Sequence, residues 1–154
     1  MPPACQAGIS DHVWSIDEIA RLLPYMVRYQ RNPMLDNRQL NESSAASWNG
    51  PSDTDFTQVL KRSLGYIAGF DGDLLIGFVN IAWDGNEHAF LLDTMVRPEF
   101  RRQGVGTELV REAILLARDA GVSWLHVDFE PHLSAFYFTA CGFTPSSAGV
   151  MKLT

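Results

Sequence analysis

The apolar positions of this chain change period along its length. In "WSIDEIARLLPYMVRYQ" (residues 14–30), Ile16, Ile19, Ala20, Leu22 and Leu23 recur on one side of a helix. Ser15 is placed to cap it, with Glu18 completing a capping box. Pro24 predicts a break or kink near the middle. The next stretch, "RNPMLDNRQLNESSAASWNGPSD", is rich in Asn, Ser and Pro and shows no period. It predicts a long loop over residues 30–53 with at most a turn of helix, and loops of that length often border a functional site. "DTDFTQVLKRSLG" predicts a second helix, capped by Asp53 or Thr54 and ended by Gly65. The period then becomes that of strands. "YIAGF", "DLLIGFVNIAWD" and "EHAFLLDTMV", separated by Asp71-Gly72 and Asp84-Gly85-Asn86, predict an antiparallel meander.

Beyond the meander, "TELVREAILLARDAG" predicts a strong amphipathic helix with Leu109, Ile114, Leu116 and Ala117 on its apolar side and Gly121 at its end. "SWLHVDF" predicts a strand, "HLSAFYFTACG" a shorter helix stopped by Gly142, and "FTPSSAGVMKL" a last strand or hairpin. A helix between two strands implies a right-handed crossover between parallel neighbours. The order predicts an α/β (α+β) fold, a mixed and mostly antiparallel sheet flanked by helices.

The sequence has 154 residues, 46% hydrophobic and 19% charged, which predicts one globular domain over 1–154 with residues 1–12 loose. The net charge of −6 argues against general binding of nucleic acid, which depends on neutralising phosphates. Cys5 and Cys141 have neither metal-site spacing nor a disulfide framework. They point to a reducing, cytoplasmic compartment and to no bound metal, with Cys141 a core thiol at a helix end. No apolar run reaches membrane-spanning length, and "MPPACQAG" lacks the features of a signal peptide.

The candidate chemistry lies in "EFRRQGVGTELVREA", residues 99–113. Glycines here turn backbone N–H groups toward one spot, and the following helix aims its unpaired N–H groups and positive dipole end there. Arg101 and Arg102 add charge, which makes an anion site. The plain alternative is a solvated basic loop. A nucleoside-triphosphate loop is excluded because Gly106 is followed by Thr107-Glu108 and not by Lys-Ser/Thr. A dinucleotide fingerprint fails at its third glycine, where Leu109 stands. Asp128 mimics the ribose-binding acid, but too little chain follows for a doubly wound sheet.

Arg101, Gly104 and Gly106 form R-x-x-G-x-G after "VRPEF" and before the amphipathic helix. This loop, the meander ending in "DTMV", the strand "WLHVDF" and the late "FYFTACGF" together resemble the GNAT N-acetyltransferase superfamily, over roughly residues 60–145. The resemblance implies acetyl-CoA as co-substrate, with its pyrophosphate wrapped by Arg101, Arg102, Gln103, Gly104, Val105, Gly106 and Thr107. It implies a splay between the fourth and fifth strands, with the pantetheine arm held there by the backbone of Met95 and Val96, and the Val96 N–H as oxyanion donor. It also implies a proton donor to the thiolate, a tyrosine four residues before the glycine of "GF". Here that place holds Phe138, and Tyr137 lies five before. Either the helix carries an extra residue and Tyr137 serves, which is the favoured reading, or the acid is lacking. The family's arm-binding Asn is replaced by Glu130 or Pro131.

Acetyl transfer to an amine needs a neutral nitrogen, and an alkyl amine has a pKa of about 10.4. Candidate bases are Asp93 on the fourth strand and His126 and Asp128 on the fifth. Glu87 and His88 lie at the hairpin end, His132 is a candidate border of the active-site cleft, and a water chain is a further route for the proton. Trp48 is a candidate wall of an acceptor pocket, whereas Trp14, Trp83 and Trp124 are expected to pack. The function expected is acetyl transfer from acetyl-CoA to a small-molecule or peptide amine, without nucleic acid or membrane. Homodimers are common among such relatives. The alternative is a non-catalytic acyl-CoA-binding or regulatory module on the same fold.

Overall fold

Strand β3 (Leu74–Trp83) is buried at almost every position because both of its faces are covered. Ile76, Val79 and Ile81 belong to one core cluster, Leu75 and Phe78 to another on the opposite face. The coordinates are those of a computed structural model and describe residues 26–154. A five-stranded sheet runs in the order β1 (Arg28–Arg31), β2 (Ser63–Asp71), β3, β4 (His88–Val96), β5 (Trp124–Val127). The first four strands are antiparallel, and β5 lies parallel to β4. The mixed sheet flanked by helices is the one expected from the order of elements.

Helix α3 (Val105–Asp119) is the crossover between β4 and β5. Its Val105, Leu109, Val110, Ala113 and Leu116 are buried against the first cluster, following the i, i+4, i+5, i+8, i+11 spacing of one helical face. Gly77 on β3 lets it approach closely: a Cβ there would lie 2.8 Å from Leu109 Cδ1. Helices α1 (Asn37–Trp48) and α2 (Phe56–Lys61) cover the other face, where Leu40, Phe56, Phe78 and Met95 meet.

Four expectations are corrected. Residues 37–48 are a twelve-residue helix and not part of a long loop. Its buried face is Leu40, Ser43, Ser44 and Ser47, at helical spacing but with serine where apolar residues normally signal the period. The cue present in the sequence is at its start. Asp36 accepts from the Gln39 N–H at 2.7 Å and the Gln39 side chain accepts from the Asp36 N–H, a complete capping box. Second, the predicted helix over 53–65 is only Phe56–Lys61. Asp55 precedes it without a side-chain cap, and the chain is already strand at Ser63, where pairing with β3 outweighs local helical preference. Third, the end of the first predicted helical run is strand β1, because Arg28–Arg31 pair with Ile67–Phe70. Residues 14–25 of that run, with the Ser15 cap, Trp14, Cys5 and the loose 1–12, lie outside the described residues. Fourth, residues 143–154 form no strand. Val150, Met151 and Leu153 are exposed, so no packing favours an extended pairing, and Pro145 removes a backbone donor.

Replacing Asp36 with Ala removes the side-chain arm of the box and leaves the bond from the residue 36 N–H to the Gln39 side chain. We expect a loss of about 1 kcal/mol in unfolding free energy, within the usual range for N-caps, measured by urea titration. An unchanged midpoint and slope would show that α1 starts independently of its cap.

Candidate active site

The parallel pair β4–β5 is short. His88–Leu91 pair with Trp124–Val127, and β4 then runs on to Val96 with no β5 partner. The strands part where β4 carries a bulge: the register moves from Asn80↔Leu92 to Phe78↔Met95, leaving Asp93 and Thr94 opposite Val79 alone. Asp93 takes up the extra residue at φ 53°, a left-handed conformation that aspartate tolerates better than most side chains. The bulge inverts the alternation. Leu91 faces the α3 side, yet Met95, four residues on, packs with Leu40 and Phe78 on the α1 side, and Val96 returns to the α3 side. Arg97 N–H donates to Ile76 O on β3 at 2.8 Å. By strand alternation the N–H and C=O of Val96 therefore point the other way, into the gap between β4 and β5.

The chain leaves β4 through a short 3-10 turn, Pro98–Phe100, into the glycine loop. Arg102 (φ 58°) and Gly104 (φ 82°) are both left-handed, and Gly104 is the N-cap of α3 with no side chain to serve the helix end. The first N–H groups of α3 therefore remain open to an anion. Gly106 is hemmed in, because a Cβ there would lie 3.3 Å from the Phe136 ring and 3.7 Å from Val96. Val105 is buried in the core and holds the helix start in place. Arg101 is not a free cation. Its Nε donates to Val96 O at 3.0 Å, and its Nη2 donates to Ser47 O. Gln103 donates from its side chain to Glu99 O at 3.1 Å. Arg102 is exposed and its side chain makes no hydrogen bond among the described residues.

Tyr137 lies on a π-helical segment, Ala135–Ala140. Cys141 N–H donates to Phe136 O at 2.9 Å, a span of five residues in place of four. One residue more is thus wound into the turn before Gly142 (φ 80°), so the residue five before that glycine lies a turn above it. A helix carrying an extra residue is one of the two alternatives that the spacing of "FYFTACGF" leaves open. Tyr137 is buried, stacked on Phe129 at 4.6 Å and edge-on to Phe136 at 4.8 Å, while Phe138 is turned to meet Phe129 edge-on. Burial pushes the Tyr137 phenol above its ordinary pKa; a hydrogen bond with the Thr94 hydroxyl opposes this, and Cys141 adds to the rise. Thr94 belongs to the unpaired stretch of β4, so the phenol sits beside the same gap that Val96 faces. Among the described residues, nothing in the sequence marks Thr94 as this partner.

Asp93 is half-buried, and desolvation raises its carboxyl above the ordinary range, partly offset by a hydrogen bond from Asn80. Asn80 is itself buried and accepts from the Ser63 hydroxyl. Its sequence signal is a lone polar residue in the apolar run "FVNIAW". The other candidate bases lie elsewhere. His126 Nε2 shares a hydrogen bond with His88 Nδ1 at 2.9 Å, and its ring stacks on Phe90 at 4.7 Å, at the paired end of β4 and β5. Asp128, Glu87 and His132 are exposed, and Asp128 falls after the end of β5, where the alternation with His126 no longer holds. Trp83 and Trp124 are exposed, Trp124 at 62%, and do not pack as expected. Trp48, at the end of α1, is 54% exposed. Cys141 packs against the core, as expected of a thiol at a helix end. No three His, Cys, Asp or Glu side chains gather to hold a metal among the described residues, and no helix there is long and apolar enough to cross a membrane.

The model of the acetyltransferase (GNAT) family matches residues 32–143. The chain belongs to the GNAT acetyltransferase family. Its fold is shared with a GNAT family acetyltransferase from Streptococcus pneumoniae, at TM-score 0.72 and 21% identity over 84% of this chain and 98% of that one. It is shared too with the aminoglycoside N-acetyltransferase AAC(6')-Iy solved with CoA, at TM-score 0.65 and 18% identity over 86% and 98% of the two chains. In sequence, a mycothiol acetyltransferase from Brachybacterium faecium is 38% identical over 72 residues, covering 47% of this chain. This GNAT chain aligns with only 19% of the length of that curated relative.

Burial pushes the Cys141 thiol up to about 11. A raised thiol pKa keeps it protonated and unreactive at neutral pH. Iodoacetamide should label the Cys141 peptide slowly at pH 8, with the rate still climbing beyond pH 10, as read by mass spectrometry. A plateau reached near pH 9 would contradict this.

Proposed function

We propose that this protein transfers the acetyl group of acetyl-CoA to a primary amine by direct attack on the thioester. The observation that carries the reading is the unpaired edge of β4 from Leu92 to Val96, which ends beside the uncapped N-terminus of α3. An extended arm can add to that edge as a strand would, while a pyrophosphate lies at the helix end. The residues fit such a group. Gly104 at φ 82° leaves open space where a Cβ would stand, Arg102 is exposed beside it, and the loop from Gln103 to Thr107 presents backbone N–H groups.

Acetyl-CoA supplies the activated acyl group as a thioester. Met95 and Val96 hold the arm by their backbone, and the Val96 N–H donates toward the carbonyl oxygen on which charge grows. The Tyr137 hydroxyl, kept protonated by burial, gives its proton to the departing sulfur. Asp93 lies on the α1 side of the bulge, the side from which an acceptor can approach. With its pKa raised by desolvation, it accepts a proton from the incoming ammonium, held in place by Asn80. The acceptor is a small amine or a peptide amine, with Trp48 at its border. A reducing, cytoplasmic setting suits the free Cys141 thiol.

The test is release of free CoA thiol from acetyl-CoA across a panel of primary amines, with the N-acetylated product identified by mass spectrometry. Tight CoA binding without turnover on any amine would favour a non-catalytic acyl-CoA-binding module. With an active amine in hand, Tyr137→Phe should lower kcat about 10²–10⁴-fold while the acetyl-CoA KM stays nearly constant. An unchanged kcat removes Tyr137 from the mechanism. Since Asp93 acts as a carboxylate, kcat/KM should fall as pH drops through its raised pKa, and Asp93→Asn should abolish that acid limb.

A further inference from the structure

We infer that Arg101 is a positioning residue that ties helix α1 to the cofactor loop, and that Arg102 alone of the two supplies the free cation for phosphate. The inference rests on the coenzyme A reading above. A guanidinium presents a rigid fork of five N–H donors, and here Nε and Nη2 are each already engaged by a backbone carbonyl. Nε holds Val96 O on the unpaired edge of β4, and Nη2 holds Ser47 O in the last turn of α1. Ser47 O is among the final carbonyls of a helix, which lack intrahelical partners and sit at the negative end of the dipole. The last turn of α1 has no basic residue of its own, so Arg101 acts as its cationic cap from 54 residues away.

The same side chain thus touches three parts of the site. It belongs to the loop, it grips the carbonyl of the same β4 peptide whose N–H makes the Arg97–Ile76 bond, and it ends the helix that carries Trp48. Its neighbour is in the opposite condition. Arg102, held left-handed at φ 58°, projects from the loop with no hydrogen bond among the described residues. Ordering of the loop by a bound phosphate is therefore passed through Arg101 to Ser47 and Trp48. Lysine cannot replace it, because one ammonium does not reproduce the planar fork.

The experiment uses the full chain labelled with 5-fluorotryptophan, with the Trp48 fluorine signal assigned from Trp48→Phe, and CoA affinity measured by calorimetry. In the unmodified protein, saturating CoA should shift the Trp48 signal. Arg101→Gln should bind CoA within about threefold of normal and lose the Trp48 shift. Arg101→Lys, which keeps the charge, should behave likewise and guards against misfolding of the first variant. Arg102→Gln should weaken CoA binding about tenfold or more, as expected for loss of a charged contact, with the Trp48 shift intact at saturation. The inference is overturned if both Arg101 variants weaken CoA as Arg102→Gln does while Trp48 still responds, or if CoA leaves Trp48 unmoved in the unmodified protein. Absence of any CoA binding in the unmodified protein would instead overturn the coenzyme A reading itself.

Discussion

One extra residue in β4 governs the geometry of the site. Had β4 alternated regularly, Leu91, Asp93 and Met95 would share a face, and the strand would have continued flat beside β5. The bulge at Asp93 breaks that sequence of faces. Met95 goes into the α1 side of the core, while Thr94 and Val96 turn toward α3 and the π-helical segment. Bulges bend and twist a strand. Here the bend coincides with the point where pairing to β5 stops, and it leaves five residues of β4 with a free edge. A left-handed aspartate costs about 1–3 kcal/mol, which the surrounding pairing to β3 and the Asn80 hydrogen bond offset.

A second irregularity matches the first. The π turn before Gly142 adds a residue to the late helix, as the bulge adds one to the strand. Tyr137 and Thr94 meet across the gap only because both insertions are present. Without the π turn, Phe138 would occupy the place beside β4, and an aromatic ring without a hydroxyl would face Thr94. The two departures from regular structure lie on opposite walls of one cleft, in keeping with the tendency of bulges and π turns to gather at functional sites.

How far this was legible follows from which signals are local. The meander, the crossover helix and the glycine loop declare themselves by alternation, helical spacing and turn residues, and they stand where the sequence puts them. Helix α1 was hidden because its inward face is Leu40 followed by three serines, so hydrophobic periodicity had nothing to register. Strand β1 was hidden because "RYQR" is polar and becomes a strand only by pairing with β2. In the site, the spacing of Tyr137 and Gly142 announced an anomaly, and only the backbone hydrogen bonds resolve it. The commitment of Arg101 to Val96 and Ser47 could not be read at all, since it joins residues 54 positions apart.

The serine face of α1 has a consequence for how the molecule breathes. Burying a leucine-sized side chain contributes about 1.5–3 kcal/mol, and a buried serine contributes little of this. Among the described residues the buried Ser43 and Ser47 hydroxyls have no hydrogen-bond partner, which lowers the stability of the docked helix further. Helix α1 is therefore held by Leu40, by its capping box and by the Arg101 clasp, whereas α3 is held by a continuous apolar stripe. Its amides belong at the low end of the opening free energies of this fold, and those of β3 at the high end. Helix α1 is a loosely seated panel on a firm frame, able to reseat without disturbing the sheet.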